Sequence, residues 1–160
     1  MKFPRVIRLD SSDRQVFAQA AEPGEWAVTG SFAFLDQDPA RLEPKERLAF
    51  ASGWFGTASG GRATLVEVAE ITEAQFFQVV ERLARHFVEH YGAPSLADAL
   101  PTARAEADDA AALADHKLHS LLALEREVGD QGLVERIRVI RPERAGDHAK
   151  IWQIVPETED

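Results

Sequence analysis

The sequence contains no cysteine, and this absence excludes several kinds of chemistry at once. Without a thiol there is no disulfide framework, no thiolate nucleophile, and no zinc or iron–sulfur site with cysteine ligands. Positive charge is also scarce, because 18 Lys and Arg residues face 27 Asp and Glu residues and leave a net charge of −9. Such a chain repels nucleic-acid phosphates overall, so we expect no nucleic-acid partner.

Long apolar runs are missing as well. No stretch approaches the roughly 18 apolar residues of a transmembrane helix, and charged residues interrupt the N-terminal segment where a signal peptide would be apolar. We therefore expect no membrane partner and a cytoplasmic location. The 160 residues, 45% of them hydrophobic, are enough for a single core.

Apolar periodicity predicts strands at both ends of the chain and helices in the middle, an order typical of an α+β fold. The predicted strands cover 3–9, 26–35, 62–71, 133–140 and 150–155, and the predicted helices cover 14–21, 44–51, 73–91, 95–100 and 102–128. We expect one α+β domain over 1–155, with a mostly antiparallel sheet of about five strands and two long helices on one face. Residues 156–160 are predicted to be an acidic frayed tail.

Two of these predictions carry further expectations. In the strand 26–35, Gly30 interrupts an apolar face and indicates a bulge or a close backbone approach. The helix 102–128 is rich in Ala and Leu, so another helix can approach it closely, either within the fold or across a dimer axis.

The Gly-rich segment 53–62 is a candidate anion site. Gly56 allows a close approach of backbone N–H groups, Thr57 and Ser59 add hydroxyls, and Arg62 adds a positive charge. The segment matches neither of the glycine-rich phosphate-binding motifs and precedes a strand, where those motifs precede a helix. A plain connection between helix and strand is the alternative interpretation.

Two adjacent aromatic residues, Trp54 and Phe55, stand at the start of this segment. Both cannot easily enter the same core from a loop, so one of them is a candidate for a pocket wall or a partner interface. The alternative is that the segment tucks back and covers the helix layer.

The run from His86 to His90 matches the H-x-x-E-H pattern of some zinc proteases. On a helix the two histidines project together and could reach one metal ion, with Glu89 as a base that activates water. A third ligand is not evident, and a solvated helix flank is the alternative. We expect no cofactor.

Three strings carry a resemblance to a known family: Phe3–Asp10, Ala21–Val28 and Gly61–Thr64. On the basis of these strings, the chain resembles, over most of its length, an uncharacterised proteobacterial family of small proteins of unknown function. The resemblance implies a bacterial, cytoplasmic, stand-alone domain, and it transfers no functional residue.

Two hypotheses of function follow from the residues. The first is a non-enzymatic accessory or interaction module that binds a protein partner or a second copy of itself, with the aromatic pair and the small-residue helix as its contacts. The second is a small-ligand binder or small enzyme, in which Arg62 orients an anion. His86 or His90, whose ordinary pKa lies near neutrality, would then transfer a proton.

Overall fold

The computed structural model describes residues 1–35, 37–142 and 152–156. Its elements in chain order are β1 (Lys2–Ile7), α1 (Ser12–Val16), β2 (Ala27–Val28), α2 (Pro44–Ser52), β3 (Trp54–Gly56), β4 (Arg62–Ala63), β5 (Leu65–Glu70), α3 (Glu73–His90), α4 (Leu96–Leu113), β6 (Leu121–Gly129), β7 (Gly132–Pro142) and β8 (Trp152–Pro156). Short 3-10 helices cover Ser31–Phe34 and Pro39–Arg41. The α+β class and the antiparallel pairing of the sheets are confirmed. The start of the predicted strand 150–155 and the predicted tail beyond Pro156 lie outside the described residues.

The strands form two sheets, where the sequence predicted one. The main sheet has five strands in the order β1-β5-β6-β7-β8, and the small sheet has three in the order β2-β3-β4. The predicted strand 62–71 is divided between them, because β4 pairs with β3 whereas β5 pairs with β1. At the junction the hydroxyl of Thr64 donates to the buried carboxylate of Asp13 over 2.6 Å, and this bond holds the chain where it changes sheet.

The small sheet lies between two apolar clusters. The sheet core joins it to the main sheet and includes Val6, Ala27, Trp54, Ala63, Val66, Val68, Leu122, Leu124, Ile137 and Val139. The helix core joins it to α3 and α4 and includes Phe3, Val28, Phe55, Phe76, Val79, Leu83, Phe87, Ala103 and Ala107. Successive side chains of a strand point to opposite faces, so Trp54 and Phe55 enter different cores and are both buried.

Helix α3 begins and ends close to the predicted bounds, because its signals are local. Thr72 and Gln75 form a reciprocal capping box, with each side chain bonding the backbone N–H of the other. Beyond the helix, Gly92 has a φ of 74°, which a glycine adopts without strain.

The predicted strand 26–35 is wrong beyond Val28. Gly30 has a left-handed φ of 77° and turns the chain into the 3-10 helix Ser31–Phe34. A Cβ at Gly30 would lie 2.4 Å from the Cβ of Phe55, so the close backbone approach that the sequence indicated is present. The alternating apolar residues therefore belong to separate apolar clusters. Phe32 packs on the helix core, while Phe34 packs with Leu42 and Phe50.

The predicted helix 102–128 is confirmed as far as Leu113 and is wrong beyond it. Helix α4 starts at Leu96, continues through Pro101, and ends at Leu113, after which 121–129 form strand β6. In β6 the alternate residues Leu122 and Leu124 face the sheet core, which is a period of two and not of 3.6. Gly129 and Gly132 flank the turn of the β6–β7 hairpin. The small-residue stripe of α4 (Ala99, Ala103, Ala107 and Ala110) is buried in the helix core within the chain.

Glu106 of α4 is a half-buried carboxyl group in an acidic neighbourhood. Burial raises its pKa to about 7, with repulsion from Asp109 and Glu135 adding to the shift and attraction to Arg126 opposing it. The folded state therefore holds a proton on Glu106 that the unfolded chain releases near pH 4.5. Stability is lost as the pH rises from that value through about 7, because the ionised group is favoured in the unfolded chain.

Replacing Glu106 with Gln removes this penalty. We expect Glu106→Gln to raise the free energy of unfolding by about 1–2 kcal/mol at pH 8, after allowance for solvent screening, and to have little effect near pH 4.5. Urea unfolding at both pH values measures the difference. Glu70→Gln, the same change at an exposed position of β5, is the control, and a pH-independent effect of Glu106→Gln would contradict the assignment.

Candidate functional site

A cleft of about 440 Å³ separates the loop 57–60 from the C-terminal half of α3. It is lined by Gln19, Thr57, Ala58, Ser59, Gly60, Arg82, Arg85, His86, Glu89 and His90. At Gly60 the loop comes near the helix, since a Cβ built on this residue would lie 4.0 Å from Cε1 of His86. The structure thus brings the hydroxyl-bearing part of the Gly-rich segment and the histidine pair to one place.

Helix α3 supplies the charge of the cleft. Arg82, His86 and His90 are four residues apart and follow one face of the helix, and Arg85 and Glu89 lie beside them. Arg85 pairs with Glu81 at 3.2 Å, whereas Arg82 makes no ion pair or hydrogen bond to the described part of the chain. In a protein of net charge −9, the described lining of the cleft carries two guanidinium groups and two imidazoles against the one carboxylate of Glu89, while Glu81, outside the lining, pairs with Arg85.

The opposite wall is held in place by an anion of the chain itself. One carboxylate oxygen of Glu25 accepts the backbone N–H groups of Ala58 (3.1 Å) and Ser59 (2.9 Å). The other accepts the hydroxyl of Ser59 (2.8 Å) and the backbone N–H of Glu22 (2.7 Å). The Gly-rich segment therefore cradles a carboxylate of the chain itself, that of Glu25.

The remaining backbone N–H groups of this segment are also engaged. Those of Gly56 and Gly60 bond to carbonyl oxygens within the loop, that of Thr57 bonds to the carbonyl oxygen of Trp26, and that of Gly61 bonds to Ser59 Oγ. The loop thus offers the cleft hydroxyl and carbonyl oxygens and no free backbone donor. A ligand anion in the cleft must be bound by the side chains of α3.

The other residues predicted for the site do not line the cleft. Trp54 and Phe55 lie in β3 with their side chains in the two cores, so neither presents a ring to the surface. Gly56 lies directly beneath the Glu25 carboxylate, where a Cβ would stand 2.2 Å from Oε1.

Arg62 is buried behind Phe55, away from the cleft. Its guanidinium donates to the carbonyl oxygens of Gly53 (3.2 Å) and Gly30 (3.4 Å) and lies 4.9 Å from the ring centroid of Phe34. Burial, with repulsion from Arg126, lowers its pKa to about 10, so it remains charged at neutral pH. In the structure Arg62 ties backbone segments together and is not placed to orient a ligand.

The two histidines form a stacked pair, with ring centroids 4.6 Å apart. Burial lowers the pKa of His86, and the charges of His90 and Arg62 lower it further while Glu89 opposes them. His86 is therefore mainly neutral at pH 7. Among the described residues no group of three His, Cys, Asp or Glu side chains is arranged to hold a metal ion, so the H-x-x-E-H pattern finds no third ligand there.

Sequence reasoning missed the residues that define the two walls. Arg82 and Arg85 precede His86 by four and one positions, so their shared helix face was readable from the predicted helix. Glu25 and Gln19 carried no such signal, because they meet the loop only through the tertiary fold: the Gln19 side chain donates to the carbonyl oxygen of Ser59 (3.1 Å).

The fold and the cleft define a two-sheet α+β protein with a cationic cleft on an acidic surface. The chain belongs to a family of unknown function, DUF6505, which matches residues 1–154. No curated protein matches the chain, and no solved structure matches it. In the described residues no helix is long and apolar enough to cross a membrane.

Proposed function

We propose that this protein binds a small anionic ligand in the cleft between the loop 57–60 and α3. The observation that carries the proposal is the cationic face of α3, with Arg82, Arg85, His86 and His90 lining one cavity of about 440 Å³. Guanidinium groups suit carboxylates and phosphates because they donate two parallel hydrogen bonds. On the opposite wall, the side chains of Gln19, Thr57 and Ser59 donate hydrogen bonds within the chain, so they offer the rest of a ligand oxygen atoms that accept hydrogen bonds.

Inorganic phosphate is the first probe, at fixed pH and ionic strength with chloride as the balancing ion. We expect phosphate at about ten times its dissociation constant to stabilise the protein by about 1.4 kcal/mol, or a few degrees in the unfolding midpoint. The double variant Arg82→Gln/Arg85→Gln should lose this stabilisation, because its cleft retains only the histidines. Calorimetric or fluorimetric thermal unfolding measures it.

A charge-matched control separates the cleft from the general surface. Arg14→Gln/Arg41→Gln removes two positive charges, as the cleft variant does, at exposed positions outside the cleft, and it should leave the response to phosphate unchanged. Equal stabilisation of the wild type and the double variant by phosphate would overturn the proposal.

An interaction module that self-associates or binds a protein partner is the second candidate. The β6–β7 hairpin favours it, since Val128 and Val134 are exposed near its turn, with exposed fractions of 58% and 39%. The aromatic pair and the Ala stripe, which first motivated this hypothesis, are used inside the chain. That the protein is bacterial and that it is located in the cytoplasm likewise stay predictions.

Native mass spectrometry tests the second candidate. A dimer that Val128→Lys converts to monomer, while Leu48→Lys leaves it intact, would support self-association through the hairpin. A monomer at all concentrations would exclude self-association and leave a different partner to be sought by pull-down.

A further inference from the structure

A second cavity, the apolar groove, lies at the C-terminal end of α3. It has a volume of about 320 Å³ and is lined by Phe32, Leu35, Phe87, Tyr91, Ala93, Asp98, Ala99 and Thr102. Two of these apolar side chains are left open to solvent, since Leu35 is 70% and Tyr91 46% exposed. Asp98, the one carboxylate among the described residues that line the groove, accepts a hydrogen bond from the Ser95 hydroxyl at the start of α4.

The apolar groove and the cationic cleft share a wall of aromatic rings. His86 lines the cleft, and its ring centroid lies 5.5 Å from that of Tyr91 and 6.1 Å from that of Phe32, which both line the groove. The rings of Phe32 and Tyr91 are themselves 5.5 Å apart. One ring layer therefore has positive charge on one side and an exposed apolar surface on the other.

We propose that the cleft and the groove together bind one amphiphilic anion, a carboxylate or phosphate head attached to an apolar chain or ring. The inference rests on the proposed anion-binding function and names its ligand class. The head contacts Arg82 and Arg85, and the apolar part crosses the ring layer at His86 and lies against Phe32, Leu35 and Tyr91. A purely polar anion would leave the groove exposed, and an apolar compound without a charge would leave Arg82 without a counter-ion, since Arg85 already pairs with Glu81.

A series of straight-chain carboxylates provides the test, using acetate, hexanoate and decanoate below their aggregation concentrations. Each methylene that enters an apolar site strengthens binding by up to about fourfold. We expect decanoate to bind the wild type at least a hundredfold more tightly than acetate, and decanol, which has the tail without the charge, at least tenfold more weakly than decanoate. Isothermal calorimetry measures the affinities.

Variants assign the two ends of the ligand. Leu35→Asp places a charge on the rim of the groove and should weaken decanoate at least tenfold while leaving acetate and phosphate unchanged. Leu48→Asp, at another exposed leucine that lines neither cavity, is its matched control. Arg82→Gln/Arg85→Gln should weaken every anion in the series.

The possible failures are distinguishable. If acetate and phosphate bind but chain length has no effect, the amphiphilic ligand is excluded and the anion-binding function stands. If no anion binds, both proposals fail. Decanol binding as tightly as decanoate would overturn the inference. So would binding to vesicles of an anionic phospholipid without binding of monomeric decanoate, since the site would then recognise a membrane surface.

Discussion

Replacing the buried Arg126 with Met is expected to lower the free energy of unfolding by about 3–5 kcal/mol, as for a buried ion pair that loses one partner. The side chain is fully buried and donates to the carbonyl oxygens of Thr29 (2.6 Å) and Phe50 (2.8 Å) and to the carboxylate of Glu135 (3.0 Å). Met is apolar and donates nothing, so two carbonyl oxygens and one carboxylate lose their donor. Urea unfolding measures the loss, and the thermal midpoint should fall by about 10 °C.

An exposed arginine on the adjacent strand provides the control. Arg136 pairs with Glu127 at 3.0 Å on the surface, so Arg136→Met should change stability by less than about 1 kcal/mol. Arg126→Lys retains the charge but not the planar fork, and its loss should be intermediate. A loss for Arg126→Met as small as that for Arg136→Met would mean that the buried network does not hold the fold together.

A methyl group at position 56 is expected to destabilise the protein by about 2–3 kcal/mol through overpacking. The added Cβ of Gly56→Ala would lie 2.2 Å from Glu25 Oε1 and 2.9 Å from the Cβ of Ala21. The carboxylate cannot withdraw without giving up its bonds to Ala58 and Ser59. Gly24→Ala is the control, because Gly24 has a left-handed φ of 94° and nothing within 4 Å, so it reports backbone strain without a clash.

The Glu25 carboxylate can be tested as the cause of this clash. Glu25→Ala alone should cost about 1.5–3 kcal/mol, since it removes charge-assisted hydrogen bonds to the loop. With Glu25 absent the methyl group at position 56 has more room, so Glu25→Ala/Gly56→Ala should cost at least about 1 kcal/mol less than the sum of the single variants. Added formate or acetate should restore part of the stability of Glu25→Ala by occupying the vacated cradle. Additive losses and no response to formate would contradict the assignment.

Two buried arginines organise the irregular segment between β2 and β3. Arg62 donates to the carbonyl oxygens of Gly30 and Gly53, and Arg126 donates to those of Thr29 and Phe50. Both guanidinium groups lie over the ring of Phe34, at 4.9 and 5.4 Å from its centroid. This segment has little sheet pairing of its own, so side-chain donors satisfy carbonyl groups that a strand would satisfy through its neighbours.

The elements that sequence reasoning predicted well are those with local signals. For α3 the apolar stripe, the Thr72 cap and Gly92 all lie within the helix or next to it, and they agree with one another. The C-terminal part of the predicted helix 102–128 lacked such agreement, because Ala and Leu residues suit a helix stripe and a buried strand equally. Only the pairing of β6 with β5 and β7 selects the strand there.

The candidate site also has a part that the sequence predicted and a part that only the tertiary fold revealed. The histidine pair was predicted from helix spacing, and the same spacing places the two neighbouring arginines that sequence reasoning missed. The Gly-rich segment was predicted as a candidate anion site, with a plain connection as the alternative. What the cradle holds was not readable, since Glu25 reaches it from a distant part of the chain. Arg62 was predicted to orient an anion because it adds a positive charge to the Gly-rich segment, whereas in the structure it is buried on backbone carbonyl groups.

By itself the sequence determined the α+β class, the bounds of α3, the charged face of that helix, and the absence of cysteine chemistry. These depend on composition and on spacings within one element. The tertiary structure alone decided the two-sheet arrangement, the burial of Trp54 and Phe55 in separate cores, and the meeting of cleft and groove at the ring of His86. Each of these depends on which distant segments come into contact. A hydrophobic pattern indicates that a residue is buried, but it does not indicate which residues it packs against.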